Sequence, residues 1–180
     1  MTRPKLRTVR HAPALRSGVC YGQFDVEVDS PHGDSADQII AAVRGHLIDT
    51  VWASDLSRCS VPGALVARTL GVPFLEDPAL REISMGTWEG RTWSEIEEHE
   101  PDPYRRWMTE WRKEAPPGGE TLDVFEARVR EWHDRIEPHS TPLLVAHAGV
   151  VRALSVIRDG LDWESAMASA VPHLTLQLFE

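Results

Sequence analysis

Two histidines follow apolar runs of the same shape: Thr8 to Ala12 reads TVRHA and Leu144 to Ala148 reads LVAHA. A neutral imidazole near pH 7 is a competent nucleophile, and its second nitrogen can carry the proton that keeps it oriented. Arg10 stands immediately before His11, and Arg58 closes the run Ser54-Asp-Leu-Ser-Arg58. Guanidinium groups stay charged at any relevant pH and offer a planar fork of donors that matches phosphate oxygens. Glu82 sits among apolar and glycine residues in LREISMGTWEG, from Leu80 to Gly90. Partial burial there is expected to raise its pKa and keep a proton available.

Each of these residues has a plainer reading alone. Arg58 reads as a surface cation, Glu82 as the partner of Arg81, and a single histidine after a strand as structural. Together, Arg10, His11, Arg58, Glu82 and His147 form a coherent phosphoryl-transfer set. His11 attacks phosphorus, the arginines and His147 stabilise charge, and Glu82 protonates the leaving alkoxide before acting as base on water. Fixed cations and N–H donors at the phosphoryl group call for no metal and no cofactor. No H-E-x-x-H, H-x-H or clustered Asp/His spacing suggests a metallo-hydrolase.

For residues so far apart to meet, the elements carrying them must run parallel. Apolar β-rich runs recur at Leu6 to Arg10, Asp49 to Ala53, Val72 to Leu75, Leu143 to His147 and Leu174 to Phe179, most of them separated by helical patterns. That alternation predicts an α/β fold with a largely parallel sheet, in which ligands gather at the carboxyl ends of the strands. The clearest helix is Thr121 to Glu137, where Leu122, Phe125, Val129, Trp132 and Ile136 step by three and four. Glu126 with Arg130, and Glu131 with Arg135, are expected to pair on its outer face. The cluster Ala115-Pro-Pro-Gly-Gly119 reads as a stop before that helix. From about 87 to 117 four tryptophans, Trp88, Trp93, Trp107 and Trp111, interleave with Arg91, Arg105, Arg106, Arg112 and Lys113, and Pro101 and Pro103 are read as helix breaks. This segment fits either a small helical lid or two amphipathic helices covering a sheet edge.

The totals agree with one domain over 1–180. A chain of 180 residues can bury roughly 70% of the surface its unfolded form exposes. With 19 Lys plus Arg against 28 Asp plus Glu, the net charge of −9 argues against nucleic-acid or anionic-membrane binding. A cleft holding two arginines can still focus positive potential locally, which makes binding of a small anion salt-sensitive. No run of 18 apolar residues or leader-like N-terminus is present, so a cytoplasmic location is expected. Cys20 and Cys59 form no C-x-x-C pair and read as two reduced thiols. His32, His46, His99, His133 and His139 are expected to face solvent, and His173 is placed in the core or at a sheet edge.

The order VRHA, SDLSR, LREISMGTWEG, PPGGE and VAHAGVVRAL resembles the histidine phosphatase superfamily over nearly the whole chain. The resemblance implies a phosphoglycerate-mutase-like three-layer sandwich, with helices flanking a mostly parallel sheet. It also implies that His11 is phosphorylated, that Arg10, Arg58 and His147 bind the phosphoryl group, and that Glu82 donates the proton. The usual opening, Arg-His-Gly followed by Glu or Gln and Thr, is replaced here by Arg10-His11-Ala12-Pro13-Ala14. Ser17 stands where many members carry a phosphate-binding Asn, and Ala148 begins the segment beside the second histidine. GVCYGQFD, Gly18 to Asp25, is similar to the small bacterial branch that includes α-ribazole phosphatase, with Gln23 as the substrate-side donor.

A phosphomonoesterase acting on a small molecule through phosphohistidine is therefore expected. Phosphoglycerate-mutase-type transfer and a catalytically silent phospho-ligand module are the alternatives. The mutase needs extra basic residues and exclusion of water to hold a bisphosphate intermediate. A homodimer is left open, because the apolar face of the last strand can pair with another subunit.

Overall fold

The structure, a computed structural model, describes residues 4–179. Five strands form one sheet in the order β3-β2-β4-β1-β5: β1 (Leu6–Arg10), β2 (Val51–Ala53), β3 (Phe74–Glu76), β4 (Leu143–Ala146) and β5 (Leu176–Phe179). All neighbouring pairs are parallel except β1 with β5. Helices α1 (His32–Ala42), α2 (Ser57–Leu70), α3 (Trp93–His99), α4 (Pro101–Glu110), α5 (Leu122–His133), α6 (Ala148–Asp159) and α7 (Trp163–Ala168) complete the chain.

The period-two alternation of β4 builds both cores. Leu143 and Val145 join Val9, Val51, Ala53 and the buried residues of α1 and α2, including Ile39 and Val66. Leu144 and Ala146 face the opposite way, into Phe125, Val129 and Trp132 of α5 and Val150, Val151 and Leu154 of α6. All four β4 residues are fully buried, as expected for a central parallel strand covered on both faces. The layers are therefore helix, sheet, helix, and the expected three-layer architecture is what the chain adopts.

Strand boundaries differ from the expected ones for local reasons. Asp49 is not in β2, because its carboxylate clasps the Thr141 N–H at 2.6 Å and the Thr141 hydroxyl at 3.1 Å. β3 starts at Phe74, after Gly71 ends α2 in a left-handed turn (φ 71°) and after Pro73, which has no N–H for the ladder. β5 begins only at Leu176, since Leu174 has φ 52°. In α5, Thr121 is the N-cap, accepting from the Val124 N–H, and the helix stops at His133. Glu126 pairs with Arg130 as expected, but Arg135 reaches across to Asp77 instead of Glu131.

Between 87 and 117 the two expected breaks divide: α3 ends at His99 just before Pro101, whereas Pro103 interrupts nothing. Pro101 opens α4 and Pro103 lies in its first turn, where a missing N–H is tolerated. Trp88 is fully buried against Trp107, which stacks on Trp93 at 5.9 Å. With Cys20, Met85 and Ile96 they form a third cluster, separate from the two sheet cores. The segment is stitched to residues 18–20 by Cys20 N–H to Arg91 O, Gly90 N–H to Cys20 O and Trp93 N–H to Gly18 O. Its cations turn outward: Arg91 pairs with Glu100, Arg105 with Asp102 and Arg112 with Glu164.

The cluster Ala115–Gly119 does more than stop a chain before α5. Thr87 N–H donates to Pro117 O and Glu120 N–H to Ser84 O, which presses this loop against 84–87. Gly86 has φ 57°, and a Cβ there would come within 2.2 Å of Pro117 O and 2.4 Å of Gly119 N. Gly86→Ala should therefore lower stability by on the order of 1–3 kcal/mol. Urea unfolding would register this as a lower midpoint at unchanged slope, and an unchanged midpoint would mean that the two loops separate freely.

Candidate active site

The ends of β1 and β4 lie side by side. Arg10 is paired in register with Ala146, and the His11 N–H donates to Ala146 O at 3.0 Å, so the ladder runs one residue past the strands. His11 and His147, 136 positions apart in the chain, thus stand next to each other with ring centroids 5.1 Å apart in an edge-on arrangement. A cavity of about 500 Å³ opens here, and Arg10, His11, Arg58, Glu82, His147, Ala148 and Ser17 all line it.

His11 is buried, and its Nδ1 lies 2.6 Å from Ala12 O. A carbonyl only accepts, so Nδ1 carries the hydrogen and Nε2 the lone pair. Burial, then the charge of Arg58, pushes its pKa down to about 3, with Arg10 and His173 adding to the shift. The imidazole is consequently neutral and nucleophilic at physiological pH. His147 is fully buried at the N-cap of α6, with Cys59 Sγ 3.6 Å from its Nε2. Burial and the neighbouring His11 and Arg58 hold its pKa well below the usual value. Burial drives the Cys59 thiol itself up and keeps it protonated.

Arg58, 2% exposed, donates to Phe24 O and Gly22 O, both at 2.8 Å. Asp25 in turn accepts from the Ser57 N–H and hydroxyl, so the turn at 22–25 is tied to the start of α2. Arg10 donates to Val171 O at 2.9 Å, while its Nε is buried without a partner. Glu82 is half-buried; its Oε1 accepts from the Ile83 N–H and its Oε2 from the Gly149 N–H, both at 3.0 Å. The loop carrying it is framed by Arg128, which donates to the carbonyls of Ala79, Arg81 and Glu82 and pairs with Glu120. Arg81 does not hold Glu82; it makes a bidentate pair with Asp55 and joins the second motif to the third.

The peripheral expectations divide. Ser17 is exposed on the cavity rim, and Ala148 lines the wall where α6 begins, an end that favours anions. Gln23 is not among the lining residues. Its amide donates to Glu82 O at 3.2 Å and approaches Glu120, which makes it a tie between two loops. Sequence reasoning missed Arg16 and Arg152 and set His173 in the core or at a sheet edge, yet all three line the cavity beside Tyr21 and Trp93. Arg152 was legible, lying one helical turn after Ala148, whereas His173 depended on the register of an antiparallel strand. His133 also departs from expectation: it is only 16% exposed, with Nε2 at 3.2 Å from an Arg158 nitrogen. His32 likewise has a buried Nδ1.

Four arginines therefore face a cavity in which Glu82 is the single acid. This local excess of positive charge, inside a chain of net charge −9, suits a phosphoryl dianion beside a neutral nucleophilic imidazole.

The family model of the histidine phosphatase superfamily (branch 1) matches residues 7–180. The chain is 34% identical over 145 residues to bifunctional protein Rv2228c of Mycobacterium tuberculosis, covering 76% of this chain and 39% of that protein. It thus spans well under half the length of that relative. Adenosylcobalamin/alpha-ribazole phosphatase of Escherichia coli is 27% identical over 166 residues, covering 89% of this chain and 82% of that one. The crystal structure of the alpha-ribazole phosphatase from Shigella flexneri superposes with a TM-score of 0.88 at 23% identity, over 97% of this chain and 89% of that one, which shows the shared fold.

The buried neutral histidines make stability depend on pH. From the ordinary value of 6.5 down to about 3, the unfolded chain binds a proton at His11 that the folded chain does not. Stability therefore falls as pH falls through this window, by up to about 1.4 kcal/mol per pH unit for each such histidine. Denaturation between pH 7.5 and 5 should show this decline, and His147→Asn should make it shallower. An identical decline in that variant would place the acid sensitivity elsewhere.

Proposed function

The chain belongs to the histidine phosphatase superfamily (branch 1), and from that premise we propose that it is a metal-independent phosphomonoesterase acting on a small-molecule phosphate ester through a phosphohistidine at His11. One observation carries this reading: His11 is neutral, oriented by its bond to Ala12 O, and set in a cavity with Arg10, Arg58, His147 and Glu82. A neutral imidazole whose Nε2 lone pair faces a cluster of fixed cations is equipped to attack a phosphoryl group.

In the proposed first step, His11 Nε2 bonds to phosphorus as the ester oxygen–phosphorus bond breaks. Arg10, Arg58 and His147 bind the equatorial oxygens, and the N-terminus of α6 adds its partial positive charge. The departing oxygen takes its proton from Glu82. In the second step Glu82 withdraws a proton from water, the water oxygen bonds to phosphorus, and the nitrogen–phosphorus bond breaks. Inorganic phosphate leaves with His11 and Glu82 restored. The proposed domain is one catalytic unit over 1–180, of which 1–3 and 180 lie outside the described residues, with 87–117 as its lid-like part. Within that part Trp93 reaches the cavity wall while its cations face outward. Among the described residues no helix is long and apolar enough to cross a membrane. A cytoplasmic location and a homodimer stay part of this reading as proposals.

A phosphoglycerate mutase would use the same first step. The 2,3-bisphosphoglycerate-dependent phosphoglycerate mutase of Chelativorans sp., 32% identical over 148 residues and covering 72% of this chain and 68% of that one, keeps that second reading in play. Coupled assays that follow 3-phosphoglycerate isomerisation beside phosphate release separate the two, with hydrolysis expected to dominate.

Mass spectrometry of enzyme quenched during turnover should find phosphate on His11, and His11→Ala should lower kcat/KM by on the order of 10³-fold or more. Full activity in that variant would overturn the proposal. Gly149→Ala gives an orthogonal check, because its Cβ would lie 2.0 Å from Glu82 Oε1. This variant should stay folded, the helix preference of alanine partly offsetting its 3.2 Å approach to the buried Phe125 ring, and lose about 10²-fold or more in kcat by displacing the proton donor. Normal kcat in a folded Gly149→Ala would remove Glu82 from that role.

A further inference from the structure

His173 is the third imidazole of the cavity and belongs to none of the five motifs. Its Nδ1 lies 2.5 Å from the carbonyl oxygen of His11, and its ring stands 5.5 Å from the His11 ring at 66°. Since a carbonyl only accepts, Nδ1 holds the hydrogen and Nε2 is left with a lone pair. Nε2 has no partner among the described residues and is not among the buried unpartnered atoms, so it is the polar atom offered to the cavity. The backbone is bent to hold it there. Leu174 adopts φ 52°, a region that is unfavourable for a branched residue, and its N–H donates to Arg10 O while His173 bridges to Arg10. Strain kept beside a cavity residue indicates a position that the surrounding structure imposes.

The arginines around the cavity, Arg10, Arg16, Arg58 and Arg152, and the helix start at Ala148 can only donate to a phosphoryl oxygen. A lone pair at Nε2 in that company would repel an anionic oxygen. Proton uptake at Nε2 turns the repulsion into a charge-assisted hydrogen bond. Building on the phosphoryl-binding reading above, we propose that His173 is a phosphoryl-binding residue that takes up a proton at Nε2 when the anion arrives and, keeping it, donates a hydrogen bond to a phosphoryl oxygen, with Nδ1–H staying on the His11 carbonyl. The balance is one proton from solvent gained at Nε2 for each dianion bound.

The surroundings explain why this proton is absent beforehand. Partial burial lowers the pKa of His173 and the charge of Arg10 on β1 adds to that, while the backbone bond to His11 and the carboxylate of Asp29 oppose the shift. Arg16 and Tyr21, Arg58 of α2, Glu82, His147, Arg152 of α6 and the neutral ring of His11 are the other ionisable groups lining the cavity. An incoming dianion offsets the arginine charge and reverses the balance, since an opposite charge within a few ångströms favours the ionised form. In this reading His173 also steadies the nucleophile, because a carbonyl drawn to His173 fixes the backbone from which the His11 ring projects.

Calorimetry of inorganic phosphate binding tests this at about pH 8, where a phosphate monoester or phosphate itself is mostly dianionic. Titrations in buffers of different ionisation enthalpy should report uptake approaching one proton per phosphate for the wild type and close to none for His173→Asn, whose amide can donate without titrating. Phosphate binding with no uptake in the wild type, or with equal uptake in a folded His173→Asn, would overturn the proposal. If that variant fails to fold, nitrogen NMR of the histidine-labelled wild type decides, as phosphate should convert the ring bonded to the His11 carbonyl to the imidazolium form and a ring that stays neutral counts against it. A phosphohistidine found on His11 alongside absent uptake sinks this inference alone. No phosphohistidine and no phosphate binding sink the reading on which it rests.

Discussion

The hydrogen bond from the His11 N–H to Ala146 O continues the parallel ladder beyond the last paired strand residues, and the site is assembled around it. A parallel register between two buried strands is rigid, because a slip of one residue would turn every core side chain of β4 to the other face. With Leu143 and Val145 committed to one core and Leu144 and Ala146 to the other, no such slip is available. The two histidines therefore meet as a result of hydrophobic packing several residues away. Their separation of 5.1 Å between ring centroids is inherited from the sheet.

Positioning of the remaining groups follows a second rule, in which buried cations are held by backbone carbonyls. Arg58 binds Gly22 and Phe24, Arg10 binds Val171, and Arg128 binds Ala79, Arg81 and Glu82. A carbonyl fixes a guanidinium without neutralising it, so Arg10 keeps its charge for an anion, and Arg58, with the half-exposed Asp25 no nearer than 3.8 Å, is held chiefly by its carbonyls. Arg128 is paired more closely: its charge is spent on Glu120, and it holds the Glu82 loop from behind. The result is a concentrated positive field within an acidic chain, and it adds to burial in keeping His11 and His147 neutral.

Much of this was legible from sequence because the chemistry lies at strand ends, and the apolar runs before His11 and His147 announce those ends. The α/β class, the largely parallel sheet and the gathering of chemistry at strand ends follow from the pattern of strands and helices, and the three-layer sandwich from the family resemblance. What escaped depended on side-chain partners that no periodicity encodes. Gln23 sits in a motif-like turn yet its amide goes to Glu82 O, and Arg135 passes over Glu131 for Asp77. His173 was set in the core or at a sheet edge and not at the cavity, since a left-handed Leu174 sets where β5 begins. Pro103 misled in the other direction, because a proline near the start of a helix reads like one that ends it.

The strand order β3-β2-β4-β1-β5 has a consequence for the birth of the molecule. The first strand of this sheet to be synthesised is flanked on both sides by its last two, so β1 carries its apolar residues without a lasting partner until β4 at residue 143 has been made. Synthesis at roughly 5–20 residues per second leaves that strand waiting for many seconds, a period in which β2, β3 and their helices can already associate. Closure of the sheet and appearance of the paired histidines are then one event, late and long-range, and such contacts are slow to form. A chain released before β4 and β5 were made would carry His11 and Arg58 with no pocket around them, so maturation of this site is coupled to synthesis of those two strands.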